Sequence, residues 1–199
     1  EKIGDDFQNH RWQLDIVVKN ILMNLNNPEI KKTDPNITKF IDNILAIKYI
    51  DPNICENNYS LLTYACETNN VDIVKKLLTF ENIDVNIYDI ITGKTCLMVS
   101  IENDCVEIAE ILINFPKTNI NAEDNFGQSA LALAVSKDAE SIVNLLINNE
   151  RFNPKLSRFN YAFAISIGTI TDILFKSKYI NINENMLAFP TQLLPQNVV

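Results

Sequence analysis

Five asparagines, Asn53, Asn86, Asn121, Asn153 and Asn183, recur at spacings of 33, 35, 32 and 30 residues. Each closes a similar short stretch: Asp51-Pro52-Asn53, Asp84-Val85-Asn86, Asn119-Ile120-Asn121, Phe152-Asn153 and Asn181-Ile182-Asn183. A chain that repeats itself at this period folds as stacked units, because a unit of that size cannot bury a core of its own. With 199 residues, 47% of them hydrophobic, the stack can build a core, and the length predicts one domain or at most two. Function in such an architecture lies mostly in an exposed surface, which predicts a protein that holds another macromolecule.

Three segments superimpose when the units are aligned on a first internal helix. They are Ser60 to Ala65, Thr95 to Ser100 and Ser129 to Ala134, with Leu62, Leu97 and Leu131 lying 35 and 34 apart. About ten residues later each unit carries a second apolar stretch, beginning at Ile73, Ile108 and Ile142. Its i, i+1, i+4, i+5 spacing gives one broad buried helix face. The polar turns Asn69-Asn70, Asn103-Asp104 and Lys137-Asp138 between the two helices are too short for anything but an antiparallel pair. Each unit therefore reads as a helical hairpin plus a loop.

These residues resemble the ankyrin repeat family, whose unit is a β-turn and two helices opened by a T-P-L-H-x-A motif. Ser60, Thr95 and Ser129 stand at the Thr position, Leu62, Leu97 and Leu131 at the Leu, and Ala65, Ser100 and Ala134 at the small residue. Pro and His of the motif are absent throughout, and the stretch from Asp84 through Gly93 and Thr95 comes nearest to the family pattern. The resemblance implies an all-α, ankyrin-type helical-hairpin solenoid with short β-hairpin-like loops and about five units, degenerate caps included. The expected layout is a single domain over 1–199. It has a helical cap and degenerate repeat at 1–50, repeats at 51–83, 84–118 and 119–150, a degenerate repeat at 151–182 and a tail at 183–199.

The chain holds only four glycines, so Asn and Asp, which enter the left-handed region at least cost among other residues, are expected to close its turns. Candidates are Asn58, Asn69 or Asn70, Asp104 and Asp138. At the N-terminal end, Asp5 or Asp6 caps an expected helix carrying Phe7, Leu14, Val17, Ile21 and Leu25, which Pro28 ends. Residues 37–47, with Phe40, Ile41, Ile44 and Leu45, align with Ile73, Val74, Leu77 and Leu78 as the second helix of a degenerate unit. Near the other end, Lys176, Ser177 and Lys178 replace an apolar pair, which predicts a short last helix, and the tail from Met186 to Val199 either covers it or hangs free.

Chemistry is harder to find than architecture. No phosphate-binding, dinucleotide-binding, zinc-protease or nucleophile-elbow motif occurs, and the single histidine, His10, stands far from the four cysteines. Cys55, Cys66, Cys96 and Cys105 form no C-x-x-C pair, and Cys66 and Cys96 fall where helices pack, which predicts buried reduced thiols rather than metal ligands or disulfides. No catalysis, no cofactor and no metal are expected. The sequons at Asn36 and Asn58 are expected by chance in a chain so rich in Asn.

Seventeen basic residues face twenty-five acidic ones, a formal charge of -8. That balance argues against a nucleic-acid backbone or an anionic membrane and favours a neutral or basic protein. No apolar run approaches the roughly 18 residues of a membrane span, and the basic and apolar blocks of a signal peptide are missing, so a soluble, cytoplasmic monomer is the expected form. The chain begins at Glu1 without Met, which leaves a processed or shortened start open.

Members of the family bind through hairpin tips and the exposed side of the first helices. By position this implies partner contacts from Tyr88, Asp89, Ile90, Ile91, Glu123, Asp124 and Phe126 on the tips, and from Tyr64, Val99, Glu102 and Leu133 on the helices. The stretch from Ile87 to Ile91 is strongly apolar where water is expected, and its loop is one residue longer than the next. It is either an interface anchor or folded inward against its neighbour. Tyr64, Val99 and Leu133 form a second stripe that is either exposed or packed between helices. Two other roles remain beside a general binding module: an acidic inhibitor or neutraliser of a basic enzyme, and a spacer within a longer polypeptide. The stretch from Leu78 to Asn86 is also similar to the pattern asparaginyl hydroxylases modify in ankyrin repeats, although hydrogen bonding by the loop Asn suffices to explain it.

Overall fold

The computed structural model describes residues 15–24, 34–47, 50–56, 59–157, 162, 166 and 168–179, which fall into two compact units, Glu1–Thr118 and Asn119–Val199. In the first unit, residues 15–24 form α1. There follow α2 (Pro35–Leu45), β1 (Cys55–Glu56), β2 (Tyr59–Ser60), α3 (Leu61–Glu67), α4 (Val71–Leu77), α5 (Cys96–Glu102) and α6 (Val106–Asn114). The second unit contains α7 (Ala130–Ser136), α8 (Glu140–Asn148) and α9 (Gly168–Phe175).

The aligned hydroxyls are helix caps. Ser60 Oγ accepts from Thr63 N at 3.1 Å, Thr95 Oγ1 from Met98 N at 3.4 Å and Ser129 Oγ from Ala132 N at 3.2 Å. Each satisfies an amide that the first turn of a helix leaves without an intrahelical partner. The turns that follow the first helices contain Asn69, Asp104 and Asp138, whose φ values of 53°, 56° and 55° lie in the left-handed region. Asn and Asp thus close the inter-helix turns as the scarcity of Gly implied, and Gly93 and Gly127 occupy the same region at the tips, with φ of 75° and 74°. Asn58 lies outside the described residues.

Each first helix turns back into its second, so that α3 packs on α4, α5 on α6 and α7 on α8. In the first unit α3 also packs on α5, and α2, α4 and α6 form a second layer. Leu62, Leu97, Ile73, Leu77, Ile108 and Leu112 are among the fully buried side chains between those layers. In the second unit α9 packs on α8, and Leu131, Leu146 and Leu174 are fully buried.

Two expectations shift at the N-terminal end. In α1 the buried residues are Val18 and Leu22, while Val17 is exposed and Ile21 half-buried, so the apolar face is rotated by one residue from the one assigned. Phe7, Leu14, Leu25 and the proposed caps lie outside the described residues. In α2, Asp34 caps the helix through Asn36 N at 2.8 Å and Pro35 opens it; Ile41, Ile44 and Leu45 are buried, and Phe40 is not. The last helix, α9, stops before Lys176, and the tail from Met186 lies outside the described residues.

Candidate interaction surface

Three of the periodic asparagines, Asn53, Asn86 and Asn121, join one repeat to the next, while the Asn153 side chain holds its own turn through Lys155 N and Asn183 lies outside the described residues. Asn53 Nδ2 donates to the Asn82 carbonyl at 2.7 Å while its Oδ1 accepts from Asp84 N at 2.7 Å. Asn86 Nδ2 donates to the Lys117 carbonyl at 2.9 Å. In the second unit Asn121 Nδ2 donates to the Arg151 carbonyl at 2.8 Å and its Oδ1 accepts from Asn153 N at 2.8 Å. An amide both donates and accepts from one short, stiff side chain, which is what a clip between two successive loops requires. These clips fix the loops from which the tips project.

The tip of the first unit is built around Asp89. Tyr88 and Thr95 form an antiparallel bridge, Asp89 N donates to the Lys94 carbonyl at 3.0 Å and Gly93 N to the Asp89 carbonyl at 2.7 Å. The Asp89 Oδ1 accepts from both Thr92 N at 2.6 Å and Thr92 Oγ1 at 2.7 Å. Asp89 thus holds the turn from inside, and Ile90 and Ile91 are left at its apex, 62% and 83% exposed, beside a Tyr88 that is 55% exposed. Ile87 is half-buried, so only the start of the apolar stretch turns inward. At the base of the tip, Lys94 Nζ meets both carboxylate oxygens of Glu102, at 2.6 and 2.7 Å, and ties the loop to the end of α5.

The preceding repeat repeats this tie with different chemistry. Tyr59 stands 35 residues before Lys94, as Glu67 does before Glu102, and the Tyr59 hydroxyl donates to Glu67 Oε2 at 2.7 Å. Burial, and then the Glu67 carboxylate, hold the Tyr59 phenol well above its ordinary range, so it remains a neutral donor. Neither tie was anticipated from the sequence. The recurrence at i, i+8 was the available signal, obscured because Tyr and Lys share no residue class.

In the second unit, Glu123 and Ser129 form the bridge and Asp124 organises the turn, its Oδ1 accepting from Phe126 N at 2.9 Å and Gln128 N at 2.8 Å. Asp124 is buried, whereas Glu123 is exposed and Phe126 is 74% exposed at the tip.

Four of the residues read as contacts are therefore interior. Tyr64, Val99 and Leu133 are buried, and so is Asp124, whose Oδ1 is engaged by the turn it holds. Six of the seven residues in each of α3, α5 and α7 are buried, so these helices have no wet face along their length. Their solvent contact is concentrated at the C-terminal end, at Glu67, Glu102 and Ser136. What the structure leaves accessible is Tyr88, Ile90, Ile91 and Glu102, with a partly buried Asp89, in the first unit, and Glu123 and Phe126 in the second.

All four cysteines are free thiols, three of them buried. Among the described residues, no group of three or more His, Cys, Asp or Glu is arranged to hold a metal ion, and no helix is long and apolar enough to cross a membrane. Compared with protein-family models, residues 62–157 match ankyrin repeats, in three copies. No curated protein matches the chain.

Proposed function

Residues 62–157 belong to the ankyrin repeat family, whose members are generally non-catalytic modules of protein–protein interaction, and on that premise we propose that this chain binds a partner protein through its loop tips. In Glu1–Thr118 the contact is the apex formed by Tyr88, Ile90 and Ile91 with the end of α5 at Glu102. In Asn119–Val199 it is Phe126 with Glu123.

The observation that carries this reading is the exposure of Ile90 and Ile91 on a turn already held by Asp89 and Thr92. Removing an aliphatic side chain of this size from water contributes about 1.5–3 kcal/mol. A pre-ordered loop loses little further entropy on binding, so more of that gain is retained as affinity. Aromatic and aliphatic anchors on a rigid support are what binding hot spots are made of.

The test is capture of partner from lysate of the native cell, using wild type and a Y88S/I90S/I91S variant as baits. A single near-stoichiometric protein, kept by wild type and weakened at least about tenfold by the variant, is the expected result. Equal retention by both would remove the tip from the interface. A second reading, an acidic inhibitor or neutraliser of a basic enzyme, draws on the formal charge of -8 and on Glu102 and Glu123. It predicts release of the captured protein by salt and loss of that protein's activity in the complex.

A further inference from the structure

Three thiols meet where α3 packs on α5 in the first unit. Cys66 lies in the last turn of α3 and Cys96 opens α5, and both side chains are fully buried. Thr63, one turn before Cys66, sets its Oγ1 3.7 Å from Cys96 Sγ, and the Cys66 and Cys96 thiols share a hydrogen bond with each other. Cys105, just before α6, donates its thiol to backbone carbonyls instead, that of Cys66 at 3.2 Å and that of Asn103 at 3.5 Å. The contact between sulfurs is therefore made by Cys66 and Cys96, on neighbouring first helices, and the interaction surface makes no use of it.

We propose that Cys66 and Cys96 are a redox pair, converted by hydrogen peroxide into a disulfide that joins the first helices of two successive repeats. The hydrogen bond from Cys66 favours the thiolate of Cys96, which makes Cys96 the attacking sulfur. It attacks one peroxide oxygen, the O–O bond breaks, and the departing hydroxide takes up the thiol proton as water, leaving Cys96 as a sulfenic acid. The Cys66 sulfur then attacks the sulfenic sulfur, the S–O bond breaks, and a second water leaves with the Cys66 proton. The two thiols lose two electrons and two protons in total, and peroxide is reduced to two waters.

Burial selects the oxidant. A small, uncharged peroxide enters during local opening of helices this short, whereas a bulky or charged disulfide reagent does not. The ring closed by the new bond runs from Cys66 to Cys96 and contains α4 and the whole tip of Tyr88, Ile90 and Ile91. Cys96 also gives up the hydrogen it directs at the Ile87 carbonyl, 3.8 Å away at the start of that tip.

The test treats the reduced full chain with hydrogen peroxide under native conditions, blocks the remaining thiols by alkylation, and maps the linked peptides by mass spectrometry. The expected product is a Cys66–Cys96 link, reversed by dithiothreitol and at least about tenfold more abundant than any other pairing, because disulfide geometry admits only sulfurs already close together. C96S should abolish that link and C105S should keep it, with circular dichroism checking that both variants fold. Recovery of Cys66 and Cys96 as alkylated thiols or as unlinked sulfinic acids would overturn the proposal. So would a Cys66–Cys105 link in place of the expected one, or a Cys66–Cys96 link that forms only in denaturant.

Discussion

Asn121 shows why the period was visible and why its purpose was not. One side chain bonds to the Arg151 carbonyl, the Asn153 amide and the Ser157 hydroxyl, 30, 32 and 36 residues away. A recurring spacing marks equivalent positions but does not reveal which of them touch, so the sequence pointed to a bond within a hairpin where the structure has one between repeats. Asn121→Ala removes three hydrogen bonds and leaves the Arg151 carbonyl and Asn153 amide to find water. Urea denaturation should show a loss of about 1–3 kcal/mol with an unchanged m-value. A neutral result would mean that solvent replaces the clip and that it contributes nothing to stability. The turn residues were easier to read, because the left-handed conformation selects residue type directly: Asn69, Asp104 and Asp138 stand where Gly is missing.

At the scale of the element, a seven-residue helix such as α3, α5 or α7 is far below the length that holds together alone in water. Its caps and its burial make it. Thr95→Ala deletes the acceptor for Met98 N, and a cap of this kind contributes about 0.5–2 kcal/mol, so the variant should melt lower by several degrees in calorimetry. The helices themselves were legible from the aligned Leu and small residues. Their solvent exposure was not. An amphipathic reading assumes one wet face, and Tyr64, Val99 and Leu133 were placed on it by the family resemblance; yet Leu61 to Cys66, Cys96 to Ile101 and Ala130 to Val135 contain no charged residue at all. That absence was the signal for burial all round. The rotated face of α1 has a plainer cause, since Val17 and Val18 are equally apolar and periodicity cannot choose between adjacent valines.

Across the whole molecule, pH acts through groups scattered along the fold. The hydrogen bond between Cys66 and Cys96 holds the Cys66 thiol above its ordinary value and the Cys96 thiol below it, opposite contributions from one pair, whereas burial raises Cys105. The raised folded-state value of Cys105 means that the stability it contributes is complete below the unfolded pKa of about 8.5 and is lost as pH rises from there, with Tyr59 adding to the loss above about 10. Melting temperature should therefore fall as pH rises past about 8.5; a flat profile to pH 10 would show that these groups are not sequestered as described.

Beyond stability, the side chains proposed to bind, Tyr88, Ile90 and Ile91, stand outside the core. Ile90 and Ile91 were legible as an anomaly because two isoleucines at a turn have no structural reason to be there. The decision between wet and folded inward waited on the Asp89–Thr92 bonds that hold the apex outward. The most direct measurement pairs the melting temperature of Y88S/I90S/I91S with its retention of the captured partner. The expected result is a melting point within a degree or two of wild type and partner binding weakened by at least about tenfold. A variant that unfolds would place these residues in the core, and one that melts normally while still holding its partner would show that the tips are not where this protein binds.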